Sequence, residues 1–385
     1  MTLSEASQTS RPRLRGLGIG LGRMAPGRWN AITDVPGVRI GHVTLVHGEG
    51  PLVVGHGPVR TGVTVVIPRG EIEEEPVFAA HHVLNGNGEM TGTAWIAESG
   101  LLTTPVALTN THSVGVVRDA LIAYRVARTG NLAAWSLPVV AETWDGFLSD
   151  INGMHVKPKH VFAALDAAAS GPIAEGNVGG GTGMICHGFK GGIGTSSRAL
   201  TEEIGGWTVG VLVQANYGQR RLLRIDGVPV GEAIPASMVP TPGPPPQGTG
   251  SIIVVVATDA PLLPLQCRRL AQRATLGIGR AGGLGENGSG DLVLAFSTGN
   301  RGLSPESGNK PISVNMLPHP AMNPLFEAVV EATEEAIANA LCAAVTMRGV
   351  DGRVAHALPL DRLQEAMLRA KLNLGEEDGR HCPPR

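Results

Sequence analysis

Short apolar runs broken by glycine alternate along the chain with a few longer amphipathic segments. β-branched and apolar residues concentrated over four to nine positions predict strands. Apolar residues near a 3.6-residue period predict helices. The predicted strands cover 38–46, 61–68, 105–112, 137–146, 207–216, 251–258 and 292–297, and the predicted helices cover 113–128, 158–170, 261–276, 324–347 and 360–372. Many strands with a few long helices predict two layers of sheet covered by helices, a layered α/β or α+β single domain.

One junction in this pattern carries candidate chemistry. A Pro/Gly-rich connector runs from Thr241 to Gly250, and Ser251 opens the apolar run 251–258. A hydroxyl at the first position of a buried strand suggests a chain that cuts itself before that residue and frees an amino-terminal Ser. Gly250 tolerates the twisted backbone that such a cut needs. The alternative is an ordinary loop-to-strand junction, which is the commoner origin of such a pattern.

A serine hydroxyl needs a base, and three candidates stand in the sequence. The first is the α-amine that a cut before Ser251 would expose. The second is the pair Ser289 and Asp291, which point the same way because they lie two residues apart on an extended chain. The third is a histidine, His112 or His187. Asn216, at the end of the strand 207–216, is a candidate amide for an oxyanion hole.

Composition and charge narrow the function classes. The net charge of −2 gives no basic footprint for nucleic acid. The four cysteines are widely separated and predict neither a disulfide framework nor a metal site. The glycine clusters at 176–183 and 277–282 lack the strand–loop–helix context of a nucleotide site, so no cofactor is predicted. The chain shows no signal peptide and no membrane-spanning run, which predicts a cytoplasmic protein that binds no membrane.

Several stretches of the chain resemble the L-aminopeptidase/D-esterase family of self-processing serine peptidases, which includes the β-aminopeptidases. An example is Leu84-Asn-Gly-Asn-Gly-Glu-Met-Thr-Gly92, whose own pattern is that of a hairpin turn or a pocket lining. The resemblance extends from about Asn30 to about Met347. The matching stretches are 30–38, 57–64, 84–92, 109–119, 175–184, 214–218 and 250–255.

The resemblance implies an α+β fold, a four-layer αββα sandwich similar to the N-terminal-nucleophile hydrolases but differently connected. The polar, Arg- and Gly-rich residues 1–28 predict a flexible segment. The resemblance implies that a single catalytic domain follows over 29–375 and that the chain is cleaved into 1–250 and 251–385. The implied assembly is a homotetramer of processed heterodimers. The implied activity releases N-terminal residues from short peptides, amino-acid amides or esters through an acyl-enzyme on Ser251.

The resemblance also assigns roles to single residues. It gives Ser289 and Asp291 the part of the family's Ser-x-acid pair, Asn216 the oxyanion amide, and Glu142 the group that holds the substrate's free amine. Two departures bear on substrate preference. Asp291 stands where relatives can carry Glu, and Trp144 stands where they can carry Tyr. The open alternatives are an acyl transferase resembling the ornithine acetyltransferases, which use Thr at the position of Ser251, and a non-catalytic glycine-rich binding protein.

Overall fold

The computed structural model describes residues 11–70, 72–130, 135–243, 250–304 and 310–378. Most of the Pro/Gly connector, residues 244–249, lies outside this part of the chain, as does Cys382. The strands are β1 (Arg39–His47), β2 (Val59–Ile67), β3 (Val77–Gly86), β4 (Leu101–Leu102), β5 (Val106–Asn110), β6 (Val139–Thr143), β7 (Ile185–Cys186), β8 (Phe189–Lys190), β9 (Gly192–Ala199), β10 (Thr208–Asn216), β11 (Gly250–Thr258), β12 (Ser289–Ser297), β13 (Met347–Arg348) and β14 (Val354–Ala355). The helices are α1 (Thr93–Ser99), α2 (Val114–Thr129), α3 (Pro158–Asp166), α4 (Val230–Ala233), α5 (Pro264–Arg280), α6 (Asn323–Ala343) and α7 (Leu360–Asp378).

Two large sheets form the centre of the molecule. One has the strand order β1-β2-β5-β6, and the other has the order β4-β3-β12-β11-β10-β9. Most neighbouring strands are antiparallel, whereas β5 with β6 and β11 with β12 are parallel pairs. Each parallel pair is joined through a helix, because parallel strands need a long crossover.

Side-chain alternation along β11 shows how the layers stack. Ile253 and Val255 pack between the two sheets against residues of β2, β5 and β6. Ile252 and Val254 face the opposite way, into the core under α5 and α6. On the far side, the outer face of the four-stranded sheet packs against α2 and α3. The arrangement is helices, sheet, sheet, helices, as the resemblance implies.

The sequence predicts the five longest helices and seven of the strands, but the predicted strands leave out β3 and β9, and the predicted helix 261–276 ends earlier than α5 does. Gly277 was expected to terminate this helix, yet α5 continues to Arg280. Gly277 lies where α5 crosses α6, and a Cβ there would stand 2.6 Å from Thr333 Cβ and 2.8 Å from the Val330 carbonyl oxygen. This glycine therefore serves close helix packing rather than helix termination. No helix in the described part of the chain is both long and apolar enough to span a membrane.

The prediction of a flexible segment 1–28 is wrong for its described part, residues 11–28. Leu14 and Leu21 are fully buried in the core beside α6. The guanidinium of Arg13 donates to the Thr195 carbonyl at 2.6 Å, and Arg15 pairs with Glu335 at 2.8 Å. The abundance of Arg and Gly suggested a loose chain, but these arginines meet carboxylates that only the fold brings near.

A buried ionic cluster joins this segment to β9 and α6. Arg198 is fully buried and pairs with both Glu331 and Glu335, each at 2.8 Å. Its remaining N–H groups donate to Ser196 Oγ at 3.1 Å and to the carbonyls of Ser197 and Leu21. Every charge in the cluster is therefore paired and hydrogen-bonded, the condition under which buried ions are tolerated.

We predict that Arg198→Met lowers the free energy of unfolding by about 3–5 kcal/mol, because Glu331 and Glu335 lose a shared buried partner. The midpoint of urea unfolding measures the loss. The matched control is Arg128→Met, which removes an exposed pair with Asp166 at 3.4 Å and should change stability by less than about 0.5 kcal/mol. Equal effects of the two variants would contradict the prediction.

Candidate active site

Three strand ends meet at one edge of the six-stranded sheet. β10 ends at Asn216, which pairs with Ser251 at the start of the antiparallel β11. β12 runs parallel to β11, so that Gly250 pairs with Ser289 and Ser251 with Gly290. Four predicted site residues, Ser251, Ser289, Asp291 and Asn216, are thus brought together by strand register alone.

Ser251 is buried and sits beside the peptide bond that precedes it. Its hydroxyl donates to the Gly250 carbonyl oxygen at 2.6 Å. Ser251 Oγ in turn accepts a hydrogen bond from the Gly290 N–H at 3.2 Å. A hydroxyl held this close to its own preceding carbonyl is positioned for attack on that carbon, and a backbone N–H stabilises the oxygen as it loses its proton.

Ser289 and Asp291 form the predicted pair. The Ser289 hydroxyl donates to Asp291 Oδ1 at 2.6 Å, with both side chains buried. Ser289 Oγ lies 3.8 Å from the point where a Cβ on Gly250 would stand, next to the candidate cleavage site. Burial raises the pKa of Asp291, and the hydrogen bond from Ser289 opposes that rise. Since the Ser289 proton is donated to the carboxylate, its oxygen lone pairs are left to accept a proton.

Asn216 is fixed at both ends of its amide. Its Oδ1 accepts from the Ile185 N–H at 2.8 Å, and its Nδ2 donates to the Trp144 carbonyl at 2.9 Å. The first bond sets the orientation of the amide and keeps Nδ2 as the donor on the opposite side. Trp144 therefore contacts Asn216 through its backbone carbonyl.

A cavity of about 590 Å³ opens at this edge. Its walls include Gly250, Ser289, Asp291 and Asn216, the predicted site residues named above. The remaining walls are mostly glycine, apolar or amide groups, among them Trp144, Phe147, Leu284 and Gln219, with Thr241 and Glu286 as further polar residues. The basic Arg220 also reaches the cavity, but its guanidinium is engaged with backbone carbonyls and stacks on Phe189 at 3.3 Å. The cavity is large enough for a short peptide residue or an amide.

Glu142 lies next to this cavity rather than on its wall. It stands two residues before Trp144 on β6, where it is buried and accepts from the Thr111 hydroxyl and from the Glu89 N–H at 3.0 Å. A Cβ on Gly88 would be 3.2 Å from Glu142 Oε1 and 3.0 Å from Gly290 Cα. Gly88 thus separates the Glu142 carboxylate from Gly290, whose N–H donates to Ser251 Oγ. Burial raises the pKa of Glu142, opposed by its hydrogen bonds.

The histidine candidates do not join the site. His187 is fully buried, its Nδ1 lies 3.0 Å from the Gln219 carbonyl oxygen, and its ring packs on Tyr217. Burial lowers the pKa of His187 to about 4, so the ring is neutral at physiological pH. His112 is exposed. Within the described residues, no cluster of three or more His, Cys, Asp or Glu side chains could hold a metal ion.

Sequence reasoning missed the groups that contribute only backbone atoms or that hold others in place. The Gly290 N–H carries no residue-type signal. Asn85 and Asn87, whose side chains bind the loop before Ser289, belong to a stretch that resembles a hairpin turn. Their pairing across 200 residues of sequence is visible only in the fold.

The comparisons with known proteins identify the family of the chain. The family model of peptidase family S58 matches residues 30–355. The β-peptidyl aminopeptidase BapA of Sphingosinicella microcystinivorans is 51% identical over 97% of this chain and 94% of that protein.

Solved structures give the same result for the fold. A Burkholderia β-aminopeptidase is 54% identical, with a TM-score of 0.86 over 93% of this chain and 99% of that one. The L-aminopeptidase D-Ala-esterase/amidase of Ochrobactrum anthropi is 44% identical, with a TM-score of 0.86 over 94% of this chain and 99% of that one. That structure is described as a new variant of the Ntn-hydrolase fold. The predicted fold class is therefore confirmed. The chain belongs to peptidase family S58 and is a self-processing serine aminopeptidase of that family.

Proposed function

We propose that the chain cuts itself between Gly250 and Ser251 and then uses Ser251 to release N-terminal residues, β-amino residues among them, from short peptides, amides and esters. The observation that carries the proposal is the position of Ser251 Oγ, 2.6 Å from the Gly250 carbonyl oxygen and 3.2 Å from the Gly290 N–H. The names of the S. microcystinivorans and Burkholderia relatives support the choice of β-amino residues.

Self-cleavage proceeds by an acyl shift followed by hydrolysis. Ser251 Oγ attacks the Gly250 carbonyl carbon and passes its proton to Ser289 Oγ, while the Ser289 hydroxyl passes its own proton to the Asp291 carboxylate; the relay returns a proton in the next step. The C–N bond then breaks, and the Ser251 nitrogen takes up the proton to become a free amine. The resulting ester joins Gly250 to Ser251 Oγ. Water hydrolyses it, which releases the Gly250 carboxylate and restores the hydroxyl.

Turnover repeats this chemistry on a substrate. The new α-amine of Ser251, with an ordinary pKa near 8, serves as the base beside the Ser289 hydroxyl. Ser251 Oγ attacks the substrate carbonyl, the leaving amine or alcohol departs with the proton, and water later cleaves the acyl-enzyme. The oxyanion is stabilised by Asn216, whose second Nδ2 hydrogen is not used by Trp144.

The substrate's ammonium is placed by Glu142. Glu142 is buried, and its attraction for a cation is stronger there than it would be in bulk water. Glu142 and Ser251 are separated by the Gly88–Gly290 contact. A substrate with a free amine must therefore span a fixed gap between its amine and its carbonyl.

We predict that the purified wild-type chain yields two polypeptides, residues 1–250 and 251–385, and that Ser251→Ala stays intact. Without the hydroxyl there is no nucleophile for the acyl shift. Intact mass measurement and a denaturing gel distinguish the two outcomes. Ser99→Ala, which removes a half-buried hydroxyl on α1, is the control and should be cut normally. A wild-type chain that stays whole, or a Ser251→Ala chain that is still cut, would refute the cleavage step.

We predict that kcat falls as the pH drops through the raised pKa of Asp291, because the relay needs the ionised carboxylate. Because the pKa of Asp291 is raised, this acid limb lies above the ordinary aspartate pKa of about 3.9. In Asp291→Asn the limb disappears and kcat drops about 10²–10⁴-fold. The kcat profile of the processed enzyme on an aminoacyl p-nitroanilide tests this. An unchanged acid limb in the Asn variant would assign the titration to another group.

We predict that Glu142→Gln raises KM for substrates with a free amine by roughly 10–100-fold, since one charge-assisted contact to a cation is lost. An ester that lacks the amino group should be hydrolysed equally by both enzymes. Glu98→Gln, which changes an exposed carboxylate on α1, serves as the control and leaves KM unchanged. An effect of Glu142→Gln that is equal on both substrates would argue against an ammonium site.

A further inference from the structure

We infer that Asn85 is a positioning residue that sets Ser289 for proton transfer, and that the segment Asn85–Glu89 fixes the distance between the Ser289 relay and the ammonium site at Glu142. The inference rests on the proposed function. It gives a role to the Asn/Gly stretch at 84–92, whose pattern alone fits a hairpin turn.

The loop that carries Ser289 has little of its own to hold it. It runs through the glycine-rich stretch 282–290, where Gly285 has a left-handed φ of 64°. Glycine loses more conformational freedom on ordering than any other residue, so such a loop needs external partners. Within it, the Ser289 N–H donates to the Glu286 carbonyl at 2.7 Å, which closes one turn.

Asn85 supplies the external partners. Its Nδ2 lies within hydrogen-bond reach of the Glu286 carbonyl at 3.0 Å, the Asn287 carbonyl at 3.2 Å and the Ser289 carbonyl. Three carbonyls of one loop thus converge on a single half-buried amide at the end of β3. The pairing of β3 with β12 places Asn85 opposite Asp291, where the register shifts by a β-bulge. The extra residue is Leu84 on β3, and because bulges redirect side chains of the bulged strand, the bulge bears on the direction of the neighbouring Asn85.

Asn87 extends the same contact. Its backbone N–H donates to the Ser289 carbonyl at 3.2 Å, and its Nδ2 donates to the Gly288 carbonyl at 2.7 Å. A Cβ on Gly290 would stand 2.6 Å from the Asn87 carbonyl oxygen. The two loops therefore touch backbone to backbone, which fixes the Gly290 N–H that contacts Ser251.

The other end of the segment binds Glu142. The Glu89 N–H donates to Glu142 Oε1 at 3.0 Å, and Gly88 fills the gap between that oxygen and Gly290. Five consecutive residues thus contact the relay at one end and the ammonium acceptor at the other. A shift of about 1 Å in such a spacer is enough to cost about 100-fold in rate.

The test compares Asn85→Ala with Asn300→Ala, which removes a side-chain amide far from the site. Asn300→Ala removes an amide that donates to two carbonyls, Asn315 at 3.0 Å and Leu262 at 3.3 Å. Asn300 follows the opposite end of β12, about 25 Å along the strand from Ser289. Thermal unfolding of both variants shows how far each loss destabilises the fold.

We expect Asn85→Ala to slow self-cleavage and to lower kcat by about 10–100-fold, with KM within about twofold of wild type, because only the reacting groups are displaced. Asn300→Ala should leave both rates within about twofold at a comparable loss of stability. Asn85→Asp should be slower than Asn85→Ala, since a carboxylate would face three carbonyl oxygens.

Two outcomes would overturn the inference. One is an Asn85→Ala enzyme that self-cleaves and turns over as well as Asn300→Ala. The other is a defect in KM alone. If the wild-type chain neither cuts itself nor hydrolyses aminoacyl p-nitroanilides, the proposed function fails instead, and the two failures are thus distinguished by the wild-type control.

Discussion

The register between β11 and β12 is the constraint on which the site depends. Parallel strands begin at the same edge of a sheet, so the starts of these two strands lie side by side, and the antiparallel β10 ends there too. A slip of one residue would turn Ser251 to the opposite face. What prevents the slip is packing. Ile253 and Val255 fill the space between the sheets, and Ile252 and Val254 fill the space under the helices. The hydrophobic core thus determines the geometry of the polar site at the end of these strands.

Much of this could be predicted from sequence because the signals are local. The alternation along 251–258 identifies a buried strand, and the spacing of Ser289 and Asp291 places both side chains on one face. Resemblance to a known family added the roles. The hydrogen bond between these two residues then appears at 2.6 Å, as that spacing requires.

What the sequence did not reveal depends on contacts between distant segments. Arg13 and Arg15 look like part of a loose terminus until Thr195 and Glu335 are brought beside them. Gly277 looks like a helix end until α6 crosses at that point. The Gly290 N–H is a backbone donor, and the residue type gives no sign of its role. In each case the partner that decides the role of the residue lies far away in the chain, so the local pattern alone does not show it.

The buried cluster around Arg198 has a consequence for the cut protein. Arg198 and Arg15 belong to the first fragment of the proposed cleavage, whereas Glu331 and Glu335 belong to the second. β11, on the second fragment, is also hydrogen-bonded to β10 on the first. The boundary between the fragments is therefore the interior of one domain and not a docking surface. Fragments could exchange between molecules only through global unfolding, so each mature enzyme would keep the two halves with which it was synthesised.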